Sequence, residues 1–423
     1  MLRRRLVGLL PALILLAACG GAGGDTDTRT VLLDYDHDEF VGALPAMFPR
    51  NVTVASGDTV TFKQAWTGEP HTITLGKLID DLTKADPSVR NWIKSGGPSP
   101  IGDLPAPIRN QFQSQLNKLP FAFSADLLVQ QNVGQPCFLD DDLPPLDPER
   151  ACPQRRQPRF TGRQSYYSSG IVPYEGSDAN RFTVPLANDI APGDYAYYCA
   201  VHGLQQSGMI TVVQRGSDIP SQTNVDRQAR REIDALAEPL IEARDAARQG
   251  RYQIDGEPVR GNLAGFLRME DADQILEFGN EFIPSTIETR VGRQVTWAVL
   301  GVHTLSFNVP RYIPVLTFAD NGRITLNERV AFPQGGWPGQ LGLRAEEAAG
   351  STSALEDPPI PLEAAPPTGP LDVGEWDGSG FVSTGLVQAL TAPVLVSVTF
   401  TRPGTYKLAC LIHPRMVGEF EVS

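Results

Sequence analysis

Histidine is scarce in this chain: five residues in 423, with no two of them spaced as His-x-His. A centre with several open coordination positions needs a cluster of imidazoles. Once the four histidines described below are assigned, only His37 is left, in Tyr35-Asp-His-Asp-Glu-Phe40, a stretch that reads as a solvated loop or strand edge. Basic residues are outnumbered too, 36 Lys and Arg against 49 Asp and Glu, for a net charge of −13. An acidic chain is a poor partner for nucleic acid, and a protein guided to it by charge should present a basic patch. The glycine cluster Gly20-Gly-Ala-Gly-Gly24 lacks the following strand and helix of a phosphate loop and reads as a tether. The N-terminal apolar run, Leu6 to Ala18, falls short of the ~20 residues that cross a bilayer.

What is present is a pattern of metal ligands, and it occurs twice. Cys199-Ala-Val-His202 follows His71, and Cys410-Leu-Ile-His413 follows His303 with Met416 close behind. Each set offers one thiolate and two imidazoles, with the lone histidine early and the C-x2-H late. Two histidines and one cysteine with a weak axial ligand suit copper in electron transfer. Zinc takes the same donors, but a C-x2-H at the end of a β strand is not a zinc-finger arrangement. Ser-His-Asp chemistry would have to borrow a histidine already assigned to metal.

The strands around the ligands repeat as well. Asn51-Val-Thr-Val-Ala-Ser-Gly-Asp-Thr-Val-Thr-Phe62 precedes His71, and Ser285-Thr-Ile-Glu-Thr-Arg-Val-Gly-Arg-Gln-Val-Thr-Trp297 precedes His303. Both read as two alternating β-branched strands joined at a glycine turn. Ala191-Pro-Gly-Asp-Tyr-Ala-Tyr-Tyr leads to Cys199, and Arg402-Pro-Gly-Thr-Tyr-Lys-Leu-Ala leads to Cys410. A Pro-Gly turn launches the thiolate strand in both. After each C-x2-H the chain re-enters a strand, Gly208-Met-Ile-Thr-Val212 or Gly418-Glu-Phe-Glu-Val422. The pattern is an internal duplication.

Both halves resemble cupredoxins, the plastocyanin- and azurin-like family of small Greek-key β-sandwiches that hold one copper each. The recognisable segments, roughly 30–60, 285–305 and the two C-terminal ends, cover about half of the chain. The resemblance implies a mainly β fold of two cupredoxin sandwiches. It also implies His303, Cys410 and His413 as strong ligands with Met416 axial, since Cys410-x2-His413-x2-Met416-Val-Gly418 resembles the family's ligand loop. His71, Cys199 and His202 match in the first half, but the axial position departs from the pattern. Aligning Gly208 with Gly418 puts Gln206 there, while Met209 falls after the glycine. Gln206, a shifted Met209 or no axial ligand stay open. An amide oxygen is a harder donor than a thioether and favours oxidised copper, so a Gln206 ligand would give the first site the lower potential.

Blander readings stand beside this one. A cysteine late in a strand is often a small buried hydrophobe, and a lone histidine is often surface. A Cys199–Cys410 disulfide would leave four histidines in ligand positions unexplained.

Arg3, Arg4 and Arg5 ahead of the apolar run fit a secretory signal. Leu16-Ala-Ala-Cys19-Gly20 resembles the lipobox of bacterial lipoproteins, which implies cleavage before Cys19 and a lipid anchor on its thiol; an ordinary signal peptide is the alternative. Cys137 and Cys152 are the remaining cysteines, and in an oxidising compartment they can staple the Pro- and Asp-rich loop between them.

The expected organisation is a signal peptide at 1–18, a tether at 19–28 and a first sandwich at 29–215 with an insertion at about 76–165. A helical linker at 216–275 and a second sandwich at 276–423, with an insertion at about 319–380, complete it. Helical-period apolar residues put short helices over Leu75–Asn91 (Leu78, Leu82) and Pro107–Gln131 (Ile108, Phe112, Leu116). The second insertion, rich in Gly and Pro, reads as ordered loop or partly disordered chain. Either insertion can cover a site, form the contact between halves or decorate the surface. The linker helix starts near Val225, capped by Asn224 and ended by Gly250, with a stripe of Ala229, Ile233, Leu236, Leu240, Ala243 and Ala247. Pro239 should kink or split it.

The resulting expectation is an exported, membrane-anchored copper protein that passes single electrons to a redox partner. It is expected not to be an enzyme. Multicopper oxidases and copper nitrite reductases resemble two or three cupredoxins, but they add a second copper centre built from histidines. A copper oxidoreductase whose second centre comes from a partner chain, or a copper carriage or storage protein, are the alternatives.

Overall fold

The computed structural model describes residues 26–64, 67–95, 120–123, 129–140, 152, 155–172, 180–254, 256–268, 278–309, 311, 313–333 and 370–423. The chain is mainly β, built from two pairs of facing sheets with helices added at the edges.

Alternation drives the strands. In Asn51–Ala55, Val52 and Val54 are buried while Asn51 and Thr53 are half-buried, so one face packs inward. The chain then reverses through Gly57, whose φ of 89° lies where a side chain is strained, into Thr59–Gln64. One sheet of the first pair orders Met47–Phe48, Thr28–Leu33, Thr59–Gln64 and Arg181–Pro185. The facing sheet orders Asn51–Ala55, Gly203–Val213, Gly193–Cys199, His71–Leu75, Tyr166–Val172 and Cys137–Leu139. Val31, Leu33, Val54, Phe62, Ile73, Tyr197 and Ile210 fill the space between them.

The second pair repeats this. Gln294–His303 lies between Asn262–Leu267 and Val387–Phe400 in one sheet, with Leu371–Trp376 at the far edge. The other sheet orders Thr286–Thr289, Val417–Val422, Gly404–Ala409, Ser306–Phe307 and Val382–Ser383. Its core is aromatic: Trp297 meets Phe420 edge-on at 5.3 Å, and Phe420 leans on Phe400 at 4.7 Å.

Among the contacts that join the pairs, two involve whole elements. Gly42–Ala43, from the N-terminal half, pairs with Phe278–Ile283 in the C-terminal half. The long helix Gln222–Arg248 packs against strands of both halves. It starts at Ser221, three residues before the expected Asn224 cap, and Gly250 follows its end at a φ of 65°. Pro239 does not split it. The helix runs through, because Ile233, Leu236, Leu240 and Ala243 are buried against Phe48, Leu263, Phe266 and Leu300. Burying each large aliphatic contributes about 1.5–3 kcal/mol, which together outweighs the ~3 kcal/mol cost of an internal proline. Asn262–Leu267, within the span read as linker, is a strand of the second pair.

Over Leu75–Asn91 two helices form, Lys77–Ala85 and Pro87–Lys94. Leu75 still belongs to a strand, and Asp86 separates the helices by capping the N–H of Ser88. Residues 107–119 and most of the second insertion lie outside the described residues. Of that insertion the structure describes the hairpin strand Ile324–Leu326, the short helix Glu328–Ala331 and Leu371–Trp376. Cys137 and Cys152 form a disulfide. The signal, the lipobox and Cys19 lie outside the described residues. Among those described, no helix is long and apolar enough to cross a membrane.

Candidate metal centres

Strand register brings the ligands together, and it does so identically in both halves. Thr74 pairs with Tyr198, and Ser306 pairs with Ala409. In each case the residue three after the histidine faces the residue one before the cysteine. The residue after each histidine then clasps the cysteine turn. Thr72 N–H donates to Cys199 Sγ at 3.2 Å, while Thr72 Oγ1 accepts from Ala200 N–H at 2.6 Å. Thr304 repeats both contacts, at 3.4 Å to Cys410 Sγ and 2.8 Å from Leu411 N–H.

His71, Cys199 and His202 form one cluster and His303, Cys410 and His413 another, each with its donor atoms within 4.8 Å of one another. His71 Nδ1 lies 3.2 Å from His202 Nδ1, and His303 Nδ1 lies 3.2 Å from His413 Nδ1. The sulfur is 3.7 Å from His202 Nδ1 in the first cluster and 3.5 Å from His413 Nδ1 in the second. Nδ1 atoms and sulfur thus converge, and both cysteines are buried and free of disulfides, which removes the Cys199–Cys410 alternative. The donor set fits copper: one soft thiolate and two imidazoles around one point.

Gly208 pairs with Tyr197 and Gly418 with Leu408, two residues before the respective cysteine. Gln206 and Met416 therefore occupy equivalent positions. Gln206 Oε1 lies 2.8 Å from His71 Nδ1 and 3.1 Å from His202 Nδ1. Met209 instead pairs with Ala196 inside the sheet and is buried in core packing. Met416 is fully buried, its N–H bonded to His413 O at 2.9 Å. His37 belongs to neither cluster; it stacks on Phe40 at 5.0 Å.

Two carboxylates that sequence reasoning passed over complete the surroundings. Asp34, wholly buried, meets His71 Nε2 at 3.2 Å through Oδ2. Its Oδ1 accepts the N–H groups of Tyr35 and Leu44, each at 2.6 Å, which anchors it. Glu69 sits between the two clusters. Its Oε2 lies 3.4 Å from His202 Nε2 and its Oε1 2.9 Å from His413 Nε2. Glu69 stands two residues before His71, which is the one hint the sequence offered. Asp34 carried none beyond ending a strand.

Charge follows geometry. Burial by itself would push both thiols up, yet His202 and His71 hold Cys199 well below the usual thiol range, and His413 and His303 do the same for Cys410. Burial would lower the imidazoles, but Cys199 and Glu69 carry His202 up to about 10, and Cys410 and Glu69 carry His413 up to about 9. Burial would raise Glu69, but its bonds to the same two histidines hold it well below the usual carboxylate range.

No family model and no curated protein matches this chain. Solved structures with a similar fold include an auracyanin from Roseiflexus castenholzii, 17% identical, covering 45% of this chain and 99% of its own at a TM-score of 0.20. A purple cupredoxin from Nitrosopumilus maritimus is 15% identical over 34% of this chain and 83% of its own, at a TM-score of 0.15. A blue copper oxidase from Nitrosomonas europaea is 10% identical over 94% of this chain and 86% of its own, at a TM-score of 0.19. That last neighbour corrects the expectation that the chain is not an enzyme. A protein named as an oxidase aligns along 94% of this chain. Counting histidines within one chain cannot see ligands that a partner chain supplies.

Proposed function

We propose that the chain is an exported, lipid-anchored copper redox protein with two tandem cupredoxin domains, each holding one mononuclear centre. The observation that carries this is the pair of buried His-Cys-His clusters built on one register. Copper held there would take up and release single electrons. His71, His202 and Cys199 would bind it in the first centre, His303, His413 and Cys410 in the second, with Gln206 and Met416 as further donors. Asp34, facing His71 Nε2, and Glu69, facing Nε2 of both His202 and His413, would accept the Nε2–H groups and so leave the opposite nitrogen, Nδ1, free for metal. The buried surroundings keep water from the sulfur. The N-terminal signal and Cys19 would place the protein on the outer face of the membrane, where its acidic surface suits a redox partner with a basic patch.

The test is metal analysis with a visible spectrum of the purified chain lacking its first 19 residues. Two coppers per chain and an intense band when oxidised are expected. Zinc in their place, or fewer than two metals, overturns the reading. Dioxygen uptake with phenols, measured on the same sample, reports whether the protein also turns over substrate.

A further inference from the structure

We propose that Glu69 is a positioning residue shared by both centres, and that through it the filling of one centre weakens the hold of the other. The inference rests on the copper reading above. Each of the two late histidines turns Nδ1 into its own cluster and Nε2 away from it, and both Nε2 atoms meet this one carboxylate. His413 is 344 residues from Glu69 in sequence, so the contact joins the two halves at their most chemically active point.

The loop carrying Glu69 is held in place. Its carbonyl accepts from Gln64 Nε2 at 2.6 Å. Gly68, at a φ of 112°, packs so closely on the other half that a Cβ there would lie 2.3 Å from the carbonyl oxygen of Ile412. The Glu69 side chain is only 11% exposed, and those of His202 and His413 are 7% and 0% exposed, so water offers little substitute for the carboxylate.

A carboxylate has a single negative charge to divide between its two oxygens. A cation on His202 Nδ1 makes the Nε2–H a stronger donor and draws that charge toward the first centre. Less is then left for His413, whose imidazole becomes a poorer ligand. The same argument runs in reverse, as linkage requires. Antagonism between centres follows from one charge serving two imidazoles in a water-poor site.

Copper titration of the full chain tests this, alongside Cys199→Ser and Cys410→Ser, each with and without Glu69→Gln. An amide keeps an acceptor oxygen on one side and puts a donor NH2 on the other, so it cannot replace both carboxylate oxygens that face the two imidazoles, and it carries no charge. Glu69→Gln is expected to weaken each centre about 10–100-fold in its own single-centre background. In the parent chain the second copper should bind at least about fivefold more weakly than the same centre binds alone, a difference that vanishes with Glu69→Gln. A merely structural residue would not erase that difference. An effect confined to one centre, or antagonism that survives Glu69→Gln, overturns the inference. Should Glu69→Gln fail to fold, the parent chain still decides: equal affinity for the second copper with the first centre filled or absent sinks it. Fewer than two coppers in the parent would instead sink the copper reading, and this inference with it.

Discussion

His71 meets the Asp34 carboxylate through Nε2 at 3.2 Å, whereas His303, its counterpart in the second centre, is buried with no carboxylate at Nε2 among the described residues, only the Leu300 backbone nearby. The consequence shows in their basicity. Burial pulls both rings down, but Asp34 and Cys199 reverse this and raise His71, while His303 stays lowered. The residues proposed as further donors diverge in the same sense, a carbonyl oxygen from Gln206 against the thioether of Met416. One effect opposes these: Cys199 Sγ accepts N–H bonds from Thr72 and Val201, at 3.2 and 3.3 Å, while Cys410 Sγ accepts one, from Thr304, among the described residues. Amide bonds to sulfur favour the reduced ion, but this is one extra N–H bond set against a carboxylate on His71 and an amide oxygen beside both imidazoles, each of which favours the oxidised ion. Asp34 and Gln206 therefore prevail, and the first centre is expected at the lower potential. Three identical ligands on one register do not make equal centres; what touches the ligands separates them.

The largest effect should come from removing a thiolate. Cys199→Ser and Cys410→Ser should each lose one copper and one visible band while leaving the other, read by metal analysis and absorption. Loss of both metals from either variant would mean the centres are not separable. Next is Asp34→Asn. It should weaken copper in the first centre about 10–100-fold and raise its potential, leaving the second alone. Equal shifts in both centres would break the assignment of Asp34 to one of them.

Exchanging Gln206 and Met416 should act more gently. Gln206→Met should raise the first potential and Met416→Gln lower the second, each by about tenfold in the redox equilibrium, or about 59 mV for one electron. Redox titration in the single-centre variants checks this, and an unchanged first potential would remove Gln206 from the coordination sphere. The smallest effect concerns stability of the first half alone. Burial lifts the Asp80 carboxyl to about 6, against the bond it accepts from Ala196 N–H at 2.8 Å. Its folded value lies above the ordinary ~3.9 of an unfolded Asp. Protonation therefore favours the folded state below that value, and the benefit is lost as pH rises through about 6. Asp80→Asn should flatten the unfolding midpoint of the copper-free chain between pH 4 and 6; an undiminished pH slope would contradict it.

Much of both centres was legible in the chain as written. Cys-x2-His at the end of a strand, a lone histidine opening an earlier one and the Pro-Gly turns are local features, and local features are written in consecutive residues. The duplication made them readable, and Gln206 opposite Met416 followed from aligning two glycines that the strand register also aligns. The continuous helix through Pro239 was not legible, because core packing, not local preference, decides it. Nor were Asp34 and Glu69. A carboxylate looks the same in sequence whether it faces water or an imidazole, and these two earn their place from contacts 37 and 344 residues away. The sequence by itself determined which side chains can hold metal. Only the tertiary structure decided how the two centres differ and that they share Glu69, because hydrogen bonds of that range exist only once the halves have packed.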